Sequence, residues 1–246
     1  MTIGIFKHLL RLIIFATTII STTGNTTEIQ PPQPFTAVYV LTSGPLTLGE
    51  MTRKLYVNNE GNFVFESSSE PIGYAKWFVS TILKERSEWI IHEGQPRPLK
   101  YSYDRTGDKD KERHVHLDFD WKNNRVINTI NNDPWRMEIP EGTQDKLLYH
   151  LTVMYDLQQG KESLSYDVAD GGRLKKYNFE FLGRDRIDTP LGVFNTVKLK
   201  KPGKRDTIIW FAPELGYVPI QIEQQEKRGS LIMQISSLEG IERKSK

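Results

Sequence analysis

Residues 112–121 alternate with a period of two: Val115, Leu117, Phe119 and Trp121 fall on one side of the chain, His114, His116, Asp118 and Asp120 on the other. A helix, at about 3.6 residues per turn, cannot sort that pattern into two faces, whereas a strand does so by its geometry. One apolar and one polar face is the signature of an antiparallel sheet with a core on one side and water on the other. The same signal recurs along the chain. Residues 35–42, 46–57 and 62–68 read as three strands about turns at Ser43-Gly44-Pro45 and at 58–61. Residues 86–92, 98–105 and 125–130 continue the series, with Asn123-Asn124 as a hairpin turn because asparagine tolerates positive φ. Residues 135–139 form one more short strand, and a meander is the simplest topology.

The C-terminal third is equally strand-rich. Residues 163–169 and 173–182 flank Asp170-Gly171-Gly172 as a hairpin, with Tyr177, Phe179 and Phe181 along one face. Within 183–225, Val193, Val197 and Leu199 share one face of a run, with Phe194, Thr196, Lys198 and Lys200 on the other. Residues 206–212 are β-branched and aromatic around Ile208, Ile209, Trp210 and Phe211, so both faces are expected to be covered. Pro213 to Gly216 is a turn, because proline fixes φ at its start and glycine accepts a positive φ at its end. Residues 217–225 return antiparallel, and 230–238 are the final strand.

Gly183, Ile187, Thr189-Pro190, Gly192 and Phe194, followed by Trp210-Phe211-Ala212-Pro213 and Pro219-Ile220, resemble the C-terminal signature of a family of bacterial envelope proteins known as domain of unknown function 3108. The resemblance extends upstream to about Phe35. It implies a secreted, mostly antiparallel β protein with a curved or rolled sheet, similar in general shape to periplasmic lipid and lipoprotein carriers. It carries over no catalytic residues.

Two segments break the strand pattern. In residues 72–84, Trp77, Phe78, Thr81 and Ile82 share a helical stripe, which predicts a short helix. Its aromatics either cap the sheet as ordinary core, or form a lid over an apolar pocket or a surface at a membrane interface. In residues 143–160, Thr143 is placed as N-cap and Asp145 at the positive helix start. Leu147, Leu148, Leu151, Met154, Tyr155 and Leu157 follow at helical spacing up to Gly160 as the stop, and His150 reads as a packed or edge histidine.

The first 24 residues have a short basic head with Lys7 and Arg11, an apolar run and a small-residue end, the plan of a cleaved export signal, with an uncleaved anchor as the alternative. Export into a bacterial periplasm is the expected localisation, with no transmembrane span after cleavage. Residues 25–34 form a polar, proline-bearing leader, 35–240 a single β-rich domain and 241–246 a charged tail expected to fray. Without the first 24 residues the 33 basic residues become 31, matching 31 acidic ones. That balance gives no reason to expect a nucleic-acid partner. The absence of cysteine excludes both disulfides and an acylated lipoprotein cysteine, so stability must come from the core.

Reactive constellations are missing: the chain has no G-x-S-x-G, H-E-x-x-H, Walker or G-x-G-x-x-G pattern. Asp108/Asp110 and Asp118/Asp120 are carboxylate pairs of the kind glycosidases use, but one lies in a charged turn and the other on a wet face. His114 and His116 are weak metal candidates, since two imidazoles at i and i+2 share a face, but four ligands strung along one strand are too spread to converge on one ion. No metal or other cofactor is expected. The chain therefore reads as mainly β, a curved antiparallel roll or open barrel with two short helices. As a function, we expect a non-catalytic binding or carrier module for a lipid or other amphipathic envelope molecule. Tyr74, Trp77, Phe78 and Leu151 would bind it, with Trp135 and Trp210 as wall. The alternatives are an assembly factor docking an envelope protein by strand addition, and a glycan-active enzyme.

Overall fold

The computed structural model describes residues 33–227 and 229–244. The segment read as an export signal, 1–24, residues 25–32 of the expected leader and residues 245–246 of the tail lie outside the described residues. The strands are β1 (Phe35–Ser43), β2 (Leu46–Val57), β3 (Phe63–Pro71), β4 (Ile82–His92), β5 (Gln95–Thr106), β6 (Arg113–Asp120), β7 (Arg125–Ile130) and β8 (Asp133–Glu138). After them come β9 (Gln144–Asp145), the helix α1 (Tyr149–Gln158), β10 (Ser165–Asp170) and β11 (Arg173–Asn178). The chain ends with β12 (Glu180–Thr189), β13 (Gly192–Lys201), β14 (Thr207–Ala212), β15 (Val218–Glu226) and β16 (Gly229–Glu239).

Two antiparallel meanders, β1–β8 and β12–β16, merge into one 13-stranded sheet because β16 pairs with β1. The sheet does not close: β12 and β8 are its ends, each paired on one side. A small second sheet, β11-β10-β9, lies with β9 beside β5. The 13-stranded sheet curls, so inward residues from both arms, such as Leu117 and Val126 of one and Val197 and Ile209 of the other, join a single core around α1. A buried hydrogen bond spans the junction of the two arms, from the Tyr39 hydroxyl on β1 past β16 to the Pro219 carbonyl on β15, 2.8 Å away.

The meander and most strand limits follow the alternation, but five expectations fail for tertiary reasons. Residues 72–84 form no α-helix. Gly73–Trp77 makes one 3-10 turn, and Ile82 already starts β4, where residues 82–84 pair with β5. Such a short helix needs a surface to bury its stripe, and here Trp77 and Phe78 stay in solvent while ladder hydrogen bonds claim Ile82 at its C-terminal end. The strand expected over 173–182 is divided at Phe179, whose N–H donates to the Leu164 carbonyl at 2.9 Å. Tyr177 and Phe179 then pack on Tyr149, while Phe181 is 60% exposed on β12. Phe194, placed on the face shared with Lys198 and Lys200, is 2% exposed. In the tail Arg243 is held, its guanidinium donating to Glu214 (2.8 Å) and to the Val193 carbonyl (3.0 Å), and lying 4.8 Å over the Phe194 ring.

The fifth failure concerns the entry to α1. Thr143 does not cap it; its hydroxyl donates to the Pro140 carbonyl at 2.7 Å. The Asp145 carboxylate instead holds the turn that leads into the helix, with Oδ1 accepting from the Leu147 and Leu148 N–H groups at 2.8 and 2.7 Å. Its other oxygen accepts the Ser87 hydroxyl from β4, which pins the helix entry to the sheet. Thr152 and Gln144 add a second tie, through a 3.0 Å bond between them and a 3.0 Å bond from Gln144 to the Pro96 carbonyl. Gly160 stops the helix at φ +73°, as its position implies.

Burial pushes the Asp145 carboxyl up from 3.8 to about 7, against the three hydrogen bonds that favour its charge. Between these values the folded chain keeps a proton that the unfolded chain has released, so this group's contribution to stability is full below pH 4 and is lost as pH rises towards 7. Urea denaturation across that window should show the decline in the wild type and flatten it in Asp145→Asn. Asp145→Ala, which orphans the Leu147 and Leu148 N–H groups and Ser87, should cost about 2–4 kcal/mol at pH 4, and less as the pH rises towards 7.

Candidate functional site

The six residues chosen from sequence do not wall one pocket. Tyr74, Trp77 and Phe78 are together but 79, 76 and 86% exposed, so they enclose nothing. Leu151 is core, buried on the inner side of α1. Trp210 is buried in β14, its indole N–H donating to Asp185 at 3.1 Å. Trp135 covers the β10–β11 turn, so tightly that a Cβ on Gly172 would sit 1.9 Å from its ring. The space that was to hold an apolar ligand between sheet and helices is occupied by α1, eight of whose ten residues are buried.

The concave side instead opens through a polar cleft of about 400 Å³. One wall is the inward face of β5 and β6, where Tyr101, Tyr103, Arg113 and Val115 stand in register. The opposite wall is the β10–β11 hairpin, with Asp170, Gly171, Arg173 and Lys175, and Lys146 at the entry to α1 lies between. Four cations thus face a single carboxylate. That carboxylate is already committed: Asp170 accepts from Lys175 (2.6 Å) and from the Tyr177 hydroxyl (2.9 Å). Behind the cleft, Glu85 accepts the Tyr101 hydroxyl at 2.6 Å and stands 3.6 Å from Lys146.

Positive charge continues inward. Burial alone would lower the Lys146 ammonium, but Glu85, Asp170 and the Tyr103 ring, 4.8 Å beneath it, hold it above its usual value. Lys201, 4.4 Å over the Tyr177 ring, is pulled below its ordinary value by burial, with Lys146 and Lys175 adding repulsion. Arg53 on β2 is 7% exposed, and its Nε and Nη1 have no hydrogen-bond partner among the described residues. These charges meet at His150 in the first turn of α1. Burial, then Arg53, Lys201 and Lys146, hold its imidazole well below the usual range, so it is neutral and stacks on Tyr149 at 4.1 Å.

The other sequence candidates are accounted for locally. His114 pairs with Asp104 at 2.7 Å and His116 with Asp118 at 3.4 Å; among the described residues no group of three His, Asp or Glu is placed to hold a metal ion. Asp108 is held below the usual carboxylate range by Lys111, and Asp120 by Asn123 and Arg125, the reverse of the raised value a glycosidase general acid needs.

The profile of the family described as "Protein of unknown function (DUF3108)" matches residues 38–236. The chain belongs to that family. Among curated proteins none matches it. Among solved structures it is similar to the crystal structure of a beta-barrel-like protein of domain of unknown function DUF1849 from Brucella abortus, with a TM-score of 0.54 and 8% identity over 85% of this chain and 98% of that one. At this identity the likeness concerns the fold alone, and it agrees with the open, barrel-like curl of the DUF3108 sheet.

Missing from the sequence reading were the cleft cations Arg113, Lys146, Arg173 and Lys175. Arg173 and Lys175 do share one face of β11, and Tyr101 and Tyr103 one face of β5, but nothing local says that these faces meet. Their meeting depends on how the hairpin seats against β8. Gly172→Ala, at φ +77° under Trp135, should therefore lower stability by at least about 1–2 kcal/mol and loosen the hairpin, seen as a drop in the urea midpoint with faster amide exchange in β10 and β11.

Proposed function

We propose that this DUF3108 protein is a non-catalytic binding or carrier module of the bacterial envelope, taking an amphipathic molecule by its anionic head. The observation that carries this reading is the cleft's charge: Arg113, Lys146, Arg173 and Lys175 against Asp170 alone. Guanidinium and ammonium donors spaced around an opening suit a phosphate or carboxylate, which accepts bidentate and point-charge hydrogen bonds together. Tyr101 and Tyr103 add ring surface and a polar tip for the part of the ligand adjoining the charge. Binding is favoured over chemistry because the nearby carboxylates are already engaged, Asp170 with Lys175 and Tyr177, Glu85 with Tyr101. The apolar tail is assigned no interior chamber, since α1 fills that space.

A second reading, docking of an envelope protein by strand addition, is favoured by β12. This end strand exposes Phe181 (60%) and Leu182 (45%) beside an unpaired edge. Its Arg184, Asp185, Arg186 and Asp188 are the alternating charges that usually discourage such pairing.

Native mass spectrometry and titration with a single-chain anionic phospholipid, against its zwitterionic choline analogue, separate these readings. The wild type should hold the anionic probe and prefer it over the analogue. Arg113→Ala and Arg173→Ala should each weaken binding about tenfold, the effect of losing one charged hydrogen bond, and added salt should weaken the wild type further. No uptake by the wild type, or equal uptake by the double variant, would overturn the anionic-head reading.

A further inference from the structure

The turn between β3 and β4 exposes three aromatic side chains in an ordered arrangement. The Ala75 N–H donates to the Ile72 carbonyl (3.1 Å), and Phe78 and Val79 N–H groups donate back to Ala75 (3.0 and 2.8 Å). Tyr74 meets Trp77 edge-on at 5.4 Å. The backbone is thus fixed while the rings stay in water, 79% exposed for Tyr74, 76% for Trp77 and 86% for Phe78. Leu46, 64% exposed, begins the strand this turn packs against. Together they present apolar surface on the order of 400 Å², as large as the principal patch of a typical monomer. Residues 72–81 carry one charged side chain, Lys76, so the tip is aromatic with a single cation.

We propose that this tip enters the interface of an anionic lipid bilayer. Indole and phenol rings are at home between acyl chains and headgroups, and a lysine beside them reaches the phosphate layer. A bilayer accepts exposed rings such as these without a matching receptor pocket. The tip also stands next to the cleft. A Cβ on Gly107 would lie 2.0 Å from the Ser80 carbonyl, so the β5–β6 turn abuts the aromatic segment, and Arg113, which opens β6, lines the cleft. Insertion would therefore hold the cleft mouth beside the headgroups, but the docking itself rests on the exposed rings and not on the cleft reading.

Co-sedimentation of the full chain, without its first 24 residues, with vesicles of phosphatidylglycerol and phosphatidylethanolamine tests this, paired with quenching of tryptophan emission by brominated acyl chains. The wild type should bind and be quenched. Trp77→Ser/Phe78→Ser should bind at least tenfold more weakly and lose the quenching; both side chains are exposed, so circular dichroism should show the fold intact. Wild type left in the supernatant, or equal binding by the double variant, would overturn the proposal. A concentration-dependent dimer that the double variant loses, without vesicle binding, would assign the tip to a second copy of the chain and also overturn it. The cleft reading survives any of these results, because it is tested by soluble probe and by Arg113 and Arg173.

Discussion

The Asp145 carboxylate joins the parts of this structure that the chain makes separately. One oxygen accepts the N–H groups of Leu147 and Leu148 where α1 begins, and the other takes the Ser87 hydroxyl of β4. A curled sheet of this width leaves a concavity too large for its own side chains. A helix buried on nearly every side fills it, so the helix entry must satisfy its free N–H groups without water. Asp145, with no measurable exposure, does this from within the protein. Were the helix absent, Trp89, Leu117 and Ile209 would face an open trough.

Filling the trough moves the polar chemistry to its rim. Where α1 enters, Lys146 and His150 sit beside Arg53 and Lys201, and the β10–β11 hairpin brings Arg173 and Lys175 opposite Arg113. Burial lowers Lys201, and the neighbouring Lys146 and Lys175 add repulsion to it. Such an arrangement is maintained against its own electrostatics by the surrounding fold, which is the physical basis for reading it as a site for an anion. The aromatic tip shows a related conflict: its backbone is ordered although its rings gain no burial.

The sheet's connectivity gives this arrangement its frame. Pairing of β16 with β1 lets two meanders share one curl, and the small β9–β11 sheet is inserted between them in sequence and set beside β5 in space. The clustered cations therefore come from widely separated stretches, with Arg53 and Lys201 nearly 150 positions apart in the chain.

By itself, the sequence determined the strands and their turns. Period-two alternation over 112–121 places Val115, Leu117 and Phe119 inward, Asn124 takes the positive φ its turn requires, and β7 begins and ends at Arg125 and Ile130 as the pattern says. These are local facts, set by side-chain direction and backbone sterics within a few residues. The tertiary structure decided the rest. It divided the strand at Phe179 and gave the turn into α1 to Asp145 while Thr143 bonds Pro140. It left Trp77 and Phe78 in solvent and brought four cations to one cleft. Each of these depends on which surface a segment meets, and spacing along the chain carries no information about a partner a hundred residues away.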